Sequence, residues 1–580
     1  MIDLLTCFAP LAFLVGTDPA TQAAVSIAIE RFLCGINIVG QVGSGKTDFV
    51  TELLRANAFS GRGWAVLDMA GSGHANMCAF DALIAALVGL GVEGLYSDLL
   101  PEVRDFAARY SRRHHYADVG ELDPGVRVNI LRRLQRKDGR REEPQRVAGR
   151  FVGTWTAQFA DADLRVRFAK WCTVAATLLA AADRAIPEYA LVFESEDYRA
   201  FLRREQARLG TAADDCVREQ WRILETQYLA LRKQPGDAPN RAQLDEVGSV
   251  HNSLSQFRCG PLATFFGGNE NISLERVAYD GERLYVTTTK LANTLNRAFA
   301  LRALWSGLES LISEIQQDDP HPVSFIVFDE VQQLSSAHLA SFATLRNHRW
   351  SPVLLRQTHD AQFEEMGLRG ASAIAEQCMQ YAIYYRPETE ALARAIAVRG
   401  VLPDYEALII TLLTSSWGWS EGQAATTARN WVEHFGEGDG SYGGSDSHAW
   451  SEGRSGGIAE QHMRIPTDEF LLRRTVDYVQ LPEFHAVHVY KGETRTIRHR
   501  RARQMPRRLF GTDYVARYLA ANRALHDRAA VPYRPFDPTL QLTTSERAAS
   551  AANPPVDGAA APYQPSRDEP AARRARSAAS

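Results

Sequence analysis

The sequence predicts an α/β protein: a doubly wound, mostly parallel sheet interrupted by an inserted all-helical domain and followed by a disordered C-terminal tail. Three observations carry that expectation. A β-branched run, a glycine loop, a helix-length segment and a second strand-like run follow one another between about Phe32 and Ser72. Strand-like runs resume near Leu284 and alternate with helix-length segments as far as Tyr385. Between them, from about Leu99 to Asn240, the chain carries mostly periodic Leu, Ala and Arg with few strand-like runs.

Taken in order, Gly35-Ile-Asn-Ile-Val-Gly40 reads as a strand ending in glycine, Asp48–Ala58 as a helix, and Gly63–Asp68 as a strand stopped by Gly71 and Gly73. That is a βαβ opening. Trp155–Ala182 and Tyr198–Lys233 suit a helical insertion. The runs Leu284–Thr289, Phe325–Phe328, Pro352–Leu355 and Met379–Tyr385 supply further strands. Gly436–Gly457, rich in Gly and Ser, is expected to be a mobile loop or a weak extended segment. His485–Lys491, a turn at Gly492-Glu493 and Thr494–Arg500 read as an exposed hairpin. From about Ala529 Pro, Ala, Ser and Arg dominate, which predicts disorder. The expected division is an N-terminal segment (1–30), an α/β domain in two parts (31–100 and 246–435), the helical insertion (101–245), a Gly/Ser loop with the C-terminal hairpin (436–528), and the tail (529–580).

Composition narrows the function classes. Hydrophobic residues make up 45% and charged residues 23% of the 580, so neither a fibrous nor a wholly disordered chain is expected. With 65 basic against 69 acidic residues the net charge is −4, which excludes binding by bulk positive charge but leaves local basic patches open. Two arginine clusters, Arg132-Arg133…Arg136-Lys137…Arg140-Arg141 and Arg498…Arg508, are either phosphate contacts or solvated faces. The seven cysteines show no CxxC and no zinc spacing with histidine, and read as buried small residues in a reducing compartment. No apolar stretch reaches the ~20 residues that span a bilayer. Asp3 and the lack of a basic start argue against a secretory signal, so the expected location is the cytoplasm.

The chemistry concentrates at two places. Gly40-Gln-Val-Gly-Ser-Gly-Lys46-Thr47 matches G-x-x-x-x-G-K-[ST] between a strand and a helix, as a phosphate-binding loop requires. In such a loop the glycines Gly40, Gly43 and Gly45, together with Ser44, let backbone N–H groups wrap a phosphate. Lys46 reaches the β- and γ-phosphates of ATP, and Thr47 ligates magnesium. Phe325-Ile-Val-Phe-Asp329-Glu330 is a buried parallel strand that ends in two carboxylates. Asp329 suits magnesium and Glu330 suits the attacking water, a pair that points to nucleotide hydrolysis. Gln357, at the end of the next strand, is either a γ-phosphate contact or a surface glutamine; spacing alone does not separate the two.

The order of phosphate loop, Val66-Leu-Asp68, Asn129-Ile-Leu, helical insertion, apolar-Asp-Glu and Arg346-x10-Gln357 resembles the TraD/TraG group of type IV secretion coupling proteins, within the FtsK/HerA superfamily. Met463-Arg-Ile-Pro-Thr-Asp-Glu-Phe and Leu481-Pro-Glu-Phe-His-Ala-Val-His-Val-Tyr-Lys-Gly are similar to that group's C-terminal segment. The resemblance spans roughly residues 30–505. It implies a RecA-like core that forms a hexameric ring, pumps DNA, and meets a relaxase or secretion-channel protein. It also implies that Gln357 and an arginine finger at Arg346, acting across the subunit interface, complete the ATP site. Members of the group usually carry two N-terminal transmembrane helices that this sequence lacks, so the cytoplasm stays the expected location, with a peripheral place at the inner face of the membrane as the alternative. A soluble translocase in repair or defence, and a nucleotide-gated docking protein that translocates nothing, are the alternatives. A VirB-type secretion ATPase would share the core without accounting for the C-terminal segment.

Overall fold

The computed structural model describes residues 12–59, 63–69, 113–121, 126–156, 162–231, 240–268, 270–316, 323–329, 342, 344–356, 379–387, 389–400, 409–416, 457–464, 467–491, 493–499, 501, 520, 524, 533, 535 and 536. Its strands are β1 (Ala12–Thr17), β2 (Ala24–Ala28), β3 (Ile36–Gly40), β4 (Trp64–Asp68), β5 (His114–Asp118), β6 (Arg283–Thr287), β7 (Ser324–Asp329), β8 (Trp350–Arg356), β9 (Tyr381–Tyr385), β10 (Ile409–Ser416), β11 (Gly457–Arg464), β12 (His485–Tyr490) and β13 (Glu493–His499). All but β10 and β11, which pair with each other, join one sheet in the order β2-β1-β13-β12-β9-β3-β8-β7-β4-β6-β5. From β9 to β5 every neighbouring pair is parallel. From β12 outwards every pair is antiparallel.

The parallel half is buried on both faces: every residue of β3, β4, β5, β6 and β8 is buried. Such strands need continuous apolar runs because helices cover both sides. Alternation of side chains sorts the two faces. Ile36, Ile38, Phe325, Val327, Val353 and Leu355 cluster with Phe49, Val50 and Leu53 of helix α1 (Lys46–Phe59). Ala65, Leu67, Ile326, Phe328 and Leu354 join the core of the helical part.

That part holds α2 (Pro144–Thr156), α3 (Ala162–Ala181), α4 (Tyr189–Glu194), α5 (Glu196–Arg208), α6 (Asp215–Ile223), α7 (Arg241–Leu254), α8 (Pro261–Phe265) and α9 (Leu274–Tyr279); α10 (Thr294–Ile312) follows β6 and packs on α2 and α9. Local chemistry sets the ends. Asn240 and Gln243 cap each other's backbone N–H at the start of α7. Phe299 of α10 meets Trp155 of α2 edge-on with ring centroids 4.3 Å apart, beside Phe151 and Phe257. Each such pair adds about 0.5–1.5 kcal/mol beyond its burial. Helices α11 (Glu390–Gly400) and α12 (Thr467–Val479) pack on each other.

The expected α/β class, parallel sheet and helical interruption are present. Several local readings change. β5 falls inside the stretch read as helical and pairs with β6 at the end of the sheet; among the described residues of that stretch the helices follow it. The N-terminal segment contributes β1 and β2. The C-terminal hairpin forms but is not exposed: β12 adds to β9 and β13 to β1, so both lie inside the sheet and His488 and His499 are buried. Among the described cysteines, Cys34 and Cys172 are buried but Cys259 is exposed. Of the tail, Tyr533, Pro535 and Phe536 are described, and the rings of Tyr533 and Phe536 pack against the helical part. The remaining tail residues, and 436–456 of the Gly/Ser stretch, lie outside the described residues. No described helix is long and apolar enough to cross a membrane.

Candidate functional site

β3 delivers Gly40 to the carboxyl edge of the sheet, where the parallel strands all end. Gly40 has no space for a side chain, since a Cβ would lie 2.6 Å from Tyr385 Cβ and 2.9 Å from the Tyr385 carbonyl and Ser44 Oγ. The chain then turns tightly, with the Ser44 N–H donating to Gln41 O at 3.3 Å. Gly43 and Gly45 take φ values of +81° and +105°, which side chains rarely adopt. At Gly45 a Cβ would also meet the Phe484 ring at 2.8 Å. Helix α1 starts at once, its first bond running from Phe49 N–H to Gly45 O at 3.1 Å. The leading N–H groups of such a helix have no acceptor within it and carry the positive end of its dipole.

Lys46 is buried, and its ammonium donates to Gly40 O at 2.5 Å and Gln41 O at 2.8 Å, so the charge lies across the mouth of the loop. Ser44 Oγ is buried inside the turn without a protein partner. A glycine cradle that side chains would fill, an orphaned hydroxyl, a helix N-terminus and an ammonium together fit a phosphate group.

Asp329 is the last residue of β7 and is half-buried. Its register partner is Leu355, which sits beside Ile38 of β3. Two strand spacings, about 10 Å, therefore separate the backbones of Asp329 and the strand that feeds the loop. Asp329 continues the alternation of Phe325 and Val327, both packed in the cluster that holds Phe49, Val50 and Leu53. Its carboxylate thus faces the side of the sheet that carries α1 and Thr47. A hydroxyl and a carboxylate at one edge and on one face are hard oxygen donors, which suit magnesium.

The other candidates divide. Glu330 and Gln357 directly follow β7 and β8 and lie outside the described residues. Arg346 is described and exposed, in a short turn (Arg346–His348) that precedes β8. It sits at the amino edge of the sheet, and six extended steps of β8 alone span about 20 Å. Within one chain it is not brought to the loop.

Sequence reasoning missed the rest of the carboxyl edge. Asp118, Thr287, Asp68 and Asp329 lie side by side in register across β5, β6, β4 and β7. Asp68 is buried and accepts from the Tyr285 hydroxyl. Burial pushes the Asp118 carboxyl above its ordinary range, opposed by the Gly120 N–H and by Lys290, whose Nζ lies 3.3 Å away. The available signal was an apolar run ending in Asp twice, at Asp68 and Asp329. Arg356 ends β8 fully buried beside Val39.

The first arginine cluster is largely engaged within the chain. Arg132 pairs with Glu270 at 2.8 Å, Arg136 with Glu314 at 3.0 Å and Arg141 with Asp183 at 2.9 Å, while Arg133 donates to the Glu142 carbonyl. Of the second cluster, Arg498 is exposed and Arg501 stacks on the Phe484 ring; the others lie outside the described residues.

No protein-family model matches the chain, and no curated protein matches it. Among solved structures, the unbound bacterial conjugative coupling protein TrwBdeltaN70 aligns with a TM-score of 0.45 at 10% identity, covering 86% of this chain and 90% of that one. TrwB with the non-hydrolysable ATP analogue ADPNP gives 0.45 at 11%, covering 86% and 97%. VirB4 of Thermoanaerobacter pseudethanolicus gives 0.42 at 11%, covering 84% and 96%. Likenesses at this identity and score carry no argument about activity.

Proposed function

We propose that this chain is a P-loop ATPase that hydrolyses MgATP and works as a ring-forming, DNA-pumping motor of the coupling-protein type. One observation carries the ATPase reading. The Gly40–Gly45 turn, closed by the Lys46 ammonium at the head of α1, shares an edge and a face of the sheet with Asp329. The DNA motor, the hexamer and a relaxase or secretion-channel partner rest on the sequence resemblance, above all the Pro466-Thr467-Asp468-Glu469 and Leu481-Pro482 segment. The same resemblance places the motor domain on the cytoplasmic side of the membrane.

In this reading the α1 N–H groups and Lys46 hold the β- and γ-phosphates, and Ser44 lends its hydroxyl to the cradle. Thr47 and Asp329 would hold magnesium, which would supply neutralisation of phosphate charge. Glu330 orients the attacking water, Gln357 contacts the γ-phosphate, and Arg346 enters from the neighbouring subunit.

The test is nucleotide binding and hydrolysis by Glu330→Gln, with the wild type as reference. The variant is expected to bind MgATP and turn it over slowly, because the metal and phosphate contacts persist while water loses its base. Wild-type turnover in this variant would remove Glu330 from the mechanism. Loss of nucleotide binding would make it structural.

A further inference from the structure

Beneath the phosphate loop lies a buried polar chain that the proposed reaction does not use. Tyr381 and Tyr385 of β9, His488 of β12 and His499 of β13 are each less than 5% exposed. Tyr381 Oη lies 2.8 Å from His488 Nδ1, and His488 Nε2 lies 2.6 Å from His499 Nε2. His499 Nδ1 meets Tyr385 Oη, which donates at 3.3 Å to the carbonyl of Gly45. Phe49 of α1 stacks on the His499 ring with centroids 5.0 Å apart, fixing its plane.

Proton counting gives this chain one direction. The Gly45 carbonyl has no proton, so the Tyr385 hydroxyl donates to it and accepts from His499 Nδ1–H. Burial holds both imidazoles below their ordinary range, His499 at about 3, so each is neutral and carries one N–H. His499 Nε2 is therefore bare and accepts from His488 Nε2–H. His488 Nδ1 is bare in turn and accepts from the Tyr381 hydroxyl. Every link is then satisfied, as a buried network requires.

The receiving carbonyl matters. Gly45 O and Lys46 N–H belong to one peptide unit, and that N–H heads α1 inside the loop. A glycine at φ +105° leaves this peptide easy to rotate. Two hydrogen bonds to its carbonyl, from Tyr385 and from Phe49 N–H, hold the plane and strengthen the N–H as a donor.

We propose that Tyr385 and His499 are positioning residues of the nucleotide site: the chain from Tyr381 sets the Gly45–Lys46 peptide so that its N–H serves the phosphate, tying the C-terminal hairpin to nucleotide affinity. This rests on the phosphate-loop reading. A purely stabilising cluster would be served as well by apolar side chains and would leave affinity alone.

The experiment is titration of the full chain with MgADP, alongside thermal unfolding. Tyr385→Phe keeps the ring and removes one oxygen. It and His499→Gln are each expected to weaken MgADP binding about three- to tenfold. The double variant should be no weaker than the weaker-binding single, since both cut one path. Tyr381→Phe, at the far end, should have a smaller effect of the same sign. Wild-type affinity in Tyr385→Phe, or additive losses in the double variant, would overturn the proposal. Should His499→Gln not fold, 15N spectra of the wild-type imidazoles decide the direction: protons at His499 Nδ1 and His488 Nε2 support it, and the opposite tautomers contradict it. Lys46→Ala separates the two levels. If it binds MgADP as the wild type does, the phosphate-loop reading itself has failed; if it does not while Tyr385→Phe does, only the positioning role has.

Discussion

The two edges of the parallel sheet carry different groups. The carboxyl edge gathers the glycine turn, Lys46 and Thr47 at the head of α1, and Asp68 and Asp329 at the ends of β4 and β7. The amino edge presents Arg346 on an exposed turn, about a strand's length away. A parallel sheet enforces this separation, because all strands end on one side and their helix N-termini point there. The lesson is that one chain brings the glycine turn, Lys46 and the Asp329 carboxylate together at one edge. It cannot bring its own Arg346 to them, so in the proposed mechanism that arginine would act from another copy.

The largest expected effect breaks the carboxyl edge. Lys46→Ala should bring hydrolysis below detection, a loss of roughly 4 kcal/mol or more of transition-state stabilisation, read by steady-state phosphate release. Unchanged release would remove the loop assignment. Arg346→Ala should lower turnover about 10³-fold while leaving MgADP affinity as it was, because the amino edge takes no part in binding within the chain. Equal losses in affinity and turnover would merge the two edges. Gly45→Ala should weaken nucleotide binding and cost about 1–3 kcal/mol of stability, since φ +105° and the Phe484 ring both exclude a side chain. Wild-type melting and binding would contradict the cradle geometry. The smallest effect is expected at Arg141→Ala, whose partner Asp183 already occupies it. DNA affinity and its salt slope should not change, whereas a slope lower by about one would return that arginine to the phosphate backbone.

The carboxyl edge was legible because its chemistry is local. A β-branched run ending in Gly40, glycines at the two turn positions and Lys46-Thr47 at a helix start are written within a dozen residues. Phe325–Asp329 was legible for the same reason, as an apolar run closed by a carboxylate. β5 was not, because His114-His-Tyr-Ala-Asp is polar in sequence and becomes buried only through pairing with β6 and the contact of His115 with Glu282 at 2.6 Å. β1 and β2 were not, because β1 finds its outer partner in β13 far along the chain. The hairpin read as exposed because His485–Lys491 alternates apolar and polar residues and Thr494–Arg500 is largely polar. Their burial depends on Tyr381 and Tyr385, a partnership that periodicity cannot signal.

The separation of the two edges is tested most directly by mixing Arg346→Ala subunits with Lys46→Ala subunits. Each variant alone lacks one half of every site. In a mixed assembly a subunit with intact Lys46 can receive Arg346 from its neighbour, so phosphate release should reappear on mixing and rise with protein concentration. Release that stays at the level of the separate variants at every ratio and concentration would contradict the account.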